Sequence, residues 1–425
     1  MGVDASATYG EATPVAPTPN LDALAAAGVL FRNAWAEPLC SPFRAAVITG
    51  RNPSDNGIGH GINPTDPDRT FILPTSTSNL AALLSTAGYR TAAVGKAHLA
   101  AEPGVGYPQI LDSSITATET HMNDLGFDYY SGFVFGGRDY FDWPHTTNGV
   151  TVSTTDYATS VIADEALAQL SGAEPFFLWL AFTAPHAPQH EPPHALLADP
   201  SIYNGFATVR DKFRAMIEAM DTELGRVLAA VDLSDTTVIF VGDNGTTGAV
   251  INSPLPSDHA KGTVYEGGLN VPLLVAGQAV SLSAVGAESD ALVQPTDLFT
   301  TILEIAGVTP PARPDSVSFA PQLQAPASPS VRSTVFAELF IPNGGPVDPA
   351  SHLRAAREAR YKLVRRGLDP DELYDLDVDP IELSPLDLGA LTPDQTDAYD
   401  RLQQAIALRQ TSTPVVPATS FGGIG

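Results

Sequence analysis

The chain is poor in cysteine: Cys40 is the single one in 425 residues. That excludes an internal disulfide framework and leaves the redox compartment open. Charge is scarce too, at 16%, and basic residues are the scarcer kind. Only 22 Lys and Arg stand against 48 Asp and Glu, for a formal charge of −26. A field of that sign disfavours nucleic acid and anionic membranes as partners. It also repels anionic substrates at long range, so any anion site has to be a local pocket of cations, effective within about one Debye length of ~8 Å. No uninterrupted apolar run is long enough to span a bilayer. The N-terminus carries no recognisable signal peptide.

What remains is a globular composition, 44% apolar, on a chain long enough for one large domain and a smaller one. The first half alternates short apolar runs with helical patterns, as in a parallel sheet covered by helices on both faces. Helices are expected from Thr18-Pro19 to Gly28, over Leu80–Ala87, around Arg214–Leu228 and over Pro295–Ala306. Strands are expected at Thr91–Val94, Phe176–Phe182 and Thr236–Val241, whose near-continuous apolar character suits burial on both faces. Residues 101–150, rich in Gly, Asp and aromatics, read as a long loop region over the sheet edge, with aromatic packing beneath a loop as the alternative. Thr334–Glu338, Tyr361–Arg365 and Leu373–Leu376 predict a small C-terminal sheet, followed by a helix near 393–408.

The lone cysteine stands in the string Cys40-Ser41-Pro42-Phe43-Arg44, continuing to Thr49-Gly50. Most single cysteines are small core hydrophobes. Here proline suits the first turn of a helix, Ser41 is expected to cap it, and Cys40 to sit just ahead of its positive end. Arg44, about one turn on, can aim its planar fork at the same spot. The pattern points to a nucleophile facing a tetrahedral anion. It resembles the C-x-P-x-R signature of the sulfatase family, with Phe43 where the family usually has a small residue.

Four further segments carry the same resemblance. Gly88-Tyr89-Arg90-Thr91 leads to Gly95-Lys96-Ala97-His98-Leu99, with Ala97 in place of the usual aromatic. Two-residue spacing puts Lys96 and His98 on one side of an extended segment. The apolar run Phe177–Phe182 leads to His186, and Val238–Val241 to Asp243-Asn244-Gly245. Lys261-Gly262-Thr263 through Gly267-Gly268 resembles the family's lysine segment, departing at Asn270 where an arginine is typical. Singly these are ordinary: Asx-Gly after a strand is usually a turn. Together, three strands end in polar residues, at the carboxyl ends where open α/β sheets bind ligands.

The resemblance implies an alkaline-phosphatase-like α/β fold, a large mixed, mostly parallel sheet sandwiched by helices. Residues 1–325 would form the catalytic domain, 326–410 a C-terminal subdomain of antiparallel sheet and helix, and 411–425 a tail. It implies a sulfuric ester hydrolase acting on a small-molecule or carbohydrate sulfate ester. Cys40, converted by a formylglycine-generating enzyme, would supply a gem-diol oxygen that attacks sulfur. Calcium, or magnesium or manganese, would be held by Asp243, Asn244 and the modified Cys40. Arg44 would favour the ionised nucleophile, Lys96 and Lys261 would hold the sulfate oxygens, His186 and Lys261 would assist the leaving alcohol, and His98 would help expel sulfate. A phosphoester or phosphonate hydrolase on the same scaffold, and an inactive anion-binding homologue, are the alternatives. Family members also normally begin with an apolar strand ending in two aspartate metal ligands. Here Met1-Gly2-Val3-Asp4 moves directly towards the first helix, and Asp4 aligns with neither ligand. Unpaired strand edges and weak calcium binding are expected in consequence, with Met1 internal to a longer gene and any signal peptide for export upstream of it.

Overall fold

The computed structural model describes residues 1–101, 117–136, 139–313 and 315–410. Its strands, in chain order, are β1 (Gly28–Ala34), β2 (Phe71–Ile72), β3 (Arg90–Lys96), β4 (Ala100–Ala101) and β5 (Tyr129–Phe133). Then come β6 (Trp143–Thr147), β7 (Val150–Thr154), β8 (Phe176–Ala181), β9 (Thr237–Val241) and β10 (Leu273–Gly277). The last are β11 (Ala287–Val293), β12 (Val335–Leu339), β13 (Leu353–Arg357), β14 (Tyr361–Arg366) and β15 (Glu372–Asp375).

The expected α/β class is present, with the large sheet divided in two. One half has the order β11-β1-β10-β9 and the other β7-β6-β5-β3-β8. Strand β3 pairs in parallel with both β5 and β8, and β1 in parallel with β11, while the other pairings in these halves are antiparallel. Helices cover both faces. Cys40–Thr49 and Pro295–Ile305 pack Phe43, Val47 and Leu298 against Val29, Phe31 and Leu273. On the other side, Ala158–Leu170 and Val209–Leu228 bury Ile162, Met216 and Met220 against Val94 and Phe133, with Leu178, Leu180 and Phe240 beside them. The second of these helices starts with a capping box between Thr208 and Asp211, which satisfies two otherwise orphaned backbone donors.

Among the described residues β8 and β9 end their respective half-sheets, and both line one cleft of about 930 Å³. Their apolar side chains, Phe177, Leu178, Leu180, Ile239 and Val241 among them, are only half-buried. A near-continuous apolar strand was expected to be covered on both faces; it is left partly open because no neighbour pairs with its free edge.

Residues 101–150 differ from the loop expectation. Ala117–Asp124 is helical, and β5, β6 and β7 extend the half-sheet outward. Glycine disguised the strand. Gly132 (φ +152°) pairs with Gly95 (φ +99°), which pairs with Ala181, and a Cβ on either glycine would lie 2.0 Å from the carbonyl oxygen of its neighbour. These backbones approach too closely for any side chain, immediately before Lys96. The stretches 102–116 and 137–138 of that region, and the tail 411–425, lie outside the described residues.

The C-terminal sheet runs β12-β13-β14-β15, all antiparallel, with the Pro393–Gln410 helix packing Ala398, Leu402 and Ile406 onto Phe336, Tyr361 and Leu363. Strand β13, with its two arginines, was not anticipated.

Candidate active site

Cys40 opens the Cys40–Thr49 helix as its first residue, with Leu39 as the N-cap. This corrects the expectation that Ser41 caps the helix with Cys40 ahead of it. Ser41 lies inside the first turn, where its hydroxyl accepts from the Ile62 N–H at 3.1 Å. Pro42 occupies the same turn, where a missing N–H costs no helical hydrogen bond. The sulfur still faces the positive end of a ten-residue helix.

Strand β3 delivers the next two groups. Lys96 Nζ lies 3.3 Å and His98 Nδ1 3.2 Å from Cys40 Sγ, so the two residues do share a side. His98 reaches it from a left-handed backbone (φ +56°), a conformation that costs energy for a non-glycine residue and is common at functional sites. Its Nε2 sits 2.8 Å from the Ile62 carbonyl. A carbonyl only accepts, so Nε2 carries a hydrogen towards it, and Nδ1 is the ring atom turned to the sulfur. Burial alone would raise the Cys40 pKa, but the Lys96 ammonium and the His98 ring outweigh it and hold the thiol well below its usual value. The sulfur is therefore not walled in by hydrocarbon.

Arg44 ties the strand ends together. Its guanidinium donates to the Lys96 carbonyl and, at 2.9 Å, to Asp243 Oδ2 beyond the end of β9. Burial would raise the Asp243 pKa; Arg44 and then Lys96 drive it far below the ordinary carboxylate range. His186, beyond β8, lines the same end of the cleft, and its Nδ1 donates to the Ala187 carbonyl at 2.7 Å. Burial, Lys96 and Lys261 lower its pKa to about 4, so at neutral pH the ring is uncharged. Lys261 also lines the cleft, and its backbone N–H donates to the Thr246 carbonyl at 2.9 Å. Asn244 is buried, with its Oδ1 unpartnered among the described residues. Six of the eight residues singled out in the sequence line one cleft, and Lys96 among them, together with His98, contacts the Cys40 sulfur.

Asp4 takes a structural place instead. It accepts from Thr246 Oγ1 at 2.7 Å and from the Asn252 N–H at 2.9 Å, pinning the N-terminal turn to the loop after Asp243. Three groups escaped sequence reasoning: the Ile62 carbonyl that sets the His98 tautomer, Thr246, and Tyr140, whose hydroxyl donates to the His186 carbonyl at 2.9 Å. The sequence offers no local sign of them, because each meets its partner across a long stretch of chain.

The family model described as Sulfatase matches residues 1–308. The chain belongs to the sulfatase family. A second model, described as the C-terminal part of N-sulphoglucosamine sulphohydrolase, matches residues 258–407. The uncharacterized sulfatase YdeN of Escherichia coli is 30% identical over 331 residues, covering 72% of this chain and 57% of that protein. Human N-acetylgalactosamine-6-sulfatase is 32% identical over 341 residues, covering 73% and 61%. The chain therefore spans about three fifths of the curated sulfatases it matches. Among solved structures, Ps i-CgsB in complex with k-i-k-neocarrahexaose superposes with a TM-score of 0.76 at 23% identity, covering 99% of this chain and 93% of that one. That likeness confirms the alkaline-phosphatase-like fold.

Sulfatases generally use a divalent cation, and the donors here fit one in kind. An ionised Asp243 and an orphaned Asn244 Oδ1 are hard oxygen ligands side by side. They fit less well in number, since such cations take six or more oxygens. Among the described residues no cluster of three or more His, Cys, Asp or Glu side chains could hold a metal.

Proposed function

We propose that the protein hydrolyses a sulfate monoester of a small molecule or carbohydrate to the alcohol and inorganic sulfate, with Cys40 matured to formylglycine by a formylglycine-generating enzyme. The observation that carries this is the Cys40 sulfur held between Lys96 Nζ and His98 Nδ1, within 3.3 Å of each, at a helix N-terminus. Carbohydrate is favoured as the carrier because the curated relatives include N-acetylgalactosamine-6-sulfatases. The catalytic unit is taken to run to about residue 325, with 326–410 as the C-terminal subdomain.

Formylglycine would supply an oxygen nucleophile that can revert to the aldehyde after sulfate leaves. A calcium ion, or magnesium or manganese, would be held by Asp243, Asn244 and the modified Cys40, and would offset negative charge on the sulfate. The chain's own residues do the rest. Arg44 orients Asp243 and adds a fixed positive charge behind the nucleophile. Lys96 and Lys261 bind the sulfate oxygens and stabilise charge that grows in the transition state. His98 accepts a proton at the nucleophile through Nδ1, its Nε2–H anchored on Ile62. His186 stands beside Lys261 on the leaving-group side, and the negative charge of an incoming sulfate ester raises its pKa from about 4 towards a useful range.

Intact-mass measurement tests the maturation: formylglycine lowers the mass by about 18 Da relative to cysteine. Parallel assays with aryl sulfate and aryl phosphate test the reaction. Turnover of sulfate with the lighter mass upholds the proposal. Preference for phosphate transfers it to a phosphoester hydrolase on the same scaffold, and absence of both leaves an anion-binding homologue.

A further inference from the structure

The segment that presents Lys261 is stapled on several sides. Its Lys261 N–H donates to Thr246 O and Gly245 N–H donates to Gly268 O, both at 2.9 Å, next to Asp243 and Asn244. Gly262 N–H donates to Pro38 O at 2.9 Å, two residues before Cys40. A side chain at Gly245 would meet the Gly267 carbonyl at 2.0 Å, so these two turns are in backbone contact. The short Glu266–Leu269 helix closes the segment, and its first residue points away from the cleft into the C-terminal sheet.

There Glu266 enters a cluster of four buried charges. Lys362, on β14 and fully buried, donates to Glu266 Oε1 at 3.0 Å and lies 2.7 Å from Glu382 Oε1. Arg357, on β13, donates to Glu266 Oε2 at 2.7 Å. Glu382 accepts from the Glu266 backbone N–H at 2.5 Å, and does so from a left-handed conformation (φ +58°). Trp35 adds an indole N–H to Glu266 Oε1 at 3.1 Å and sets its ring 4.8 Å from Lys362 Nζ. Two cations face two carboxylates, all out of water, and such a set is costly unless every member is held. A further link joins His259 Nδ1 to the Ile381 carbonyl at 3.3 Å.

We infer that Lys362 and Glu382 are positioning residues for Lys261: through Glu266 they fix the segment that sets this cation against the Cys40 site. The inference rests on the proposed role of Lys261 at the sulfate, and it makes the C-terminal sheet part of the catalytic apparatus without touching substrate. The two carboxylates and two cations fix where the segment stops, and the glycine contacts transmit that position to the Asp243 loop.

The test compares Lys362→Met, Glu382→Gln and, as a control in the helix packed on the same sheet, Arg401→Ala, which removes an exposed pair with Glu358. Hydrogen exchange of the full-length protein is read at peptides spanning 259–270 and 90–101, alongside aryl sulfate kinetics and inhibition by inorganic sulfate. Lys362→Met is expected to lose more protection at 259–270 than at 90–101, lower kcat about tenfold or more, and weaken sulfate inhibition in proportion. Glu382→Gln, which keeps an acceptor for the Glu266 N–H, does the same to a smaller extent and serves if Lys362→Met does not fold. Arg401→Ala changes none of these. Unchanged exchange at 259–270 in a folded variant, or equal loosening at 90–101, overturns the inference. If the wild-type enzyme turns over no sulfate ester, the functional proposal fails, while selective loosening at 259–270 with weaker sulfate binding still upholds the clasp.

Discussion

Two groups of buried charge lie on either side of the 259–270 segment, and they are built on opposite plans. Around Glu266 the charges balance, two cations against two carboxylates, and the cluster is closed within the fold. Around Cys40 positive groups dominate: Arg44, Lys96 and Lys261 face Asp243 and a thiol forced towards its anion, at the end of an open cleft. The Cys40 group is left with an excess of positive charge, and burial lowers the Lys96 pKa there. Neutrality marks the structural cluster, and imbalance marks the one prepared for a ligand.

The largest expected effect comes from Cys40→Ala, which should lower kcat on an aryl sulfate by about a thousandfold or more, as removal of a nucleophile does. Next is a crossed pair. Lys362→Met strands buried carboxylates and should cost about 3–5 kcal/mol of unfolding free energy by denaturant titration. Lys96→Met removes a cation from a cation-rich pocket, so it should leave stability unchanged or higher while lowering kcat about a hundredfold. Equal destabilisation by both would erase the distinction between the clusters.

A third, smaller effect concerns pH. Burial and then Glu266 raise the Glu382 pKa to about 7, against the pull of Lys362. An acid whose folded pKa is raised binds more protons folded than unfolded, so its contribution to stability falls as pH rises from about 4.5 to about 7 and is flat beyond. Glu382→Gln should flatten that part of the thermal-stability profile. Weakest of all, calorimetric titration with calcium should show binding no tighter than about 10⁻⁴ M, as two protein oxygens make a poor site. Tight binding would show that the Cys40 end is complete without an added anion or ligand.

Much of the site was legible because its residues follow strands. The apolar runs before Lys96, His186 and Asp243 become β3, β8 and β9, and their carboxyl ends meet. The lone cysteine, proline and arginine likewise fixed the helix on which Cys40 sits, apart from which residue caps it. What escaped depends on contacts between distant segments. Strand β5 was hidden because Gly132 breaks the apolar alternation for the sake of a backbone contact with Gly95. Strand β13 carries Arg354 and Arg357, both buried, and arginine in a sequence signals surface unless its partner is known. Glu382 looks like any loop acid until Lys362 is placed beside it. The half-sheets could not be separated from the apolar runs alone, since an edge strand and a central one read alike when a neighbour is missing.

The cleft between β8 and β9 has a consequence outside catalysis. Among the described residues neither strand has a partner along its outer edge, and the cleft they line is walled by phenylalanine, leucine and isoleucine. Such a cleft is a template for extended polypeptide, its own neighbours included. Aggregation that grows with protein concentration is the expected consequence.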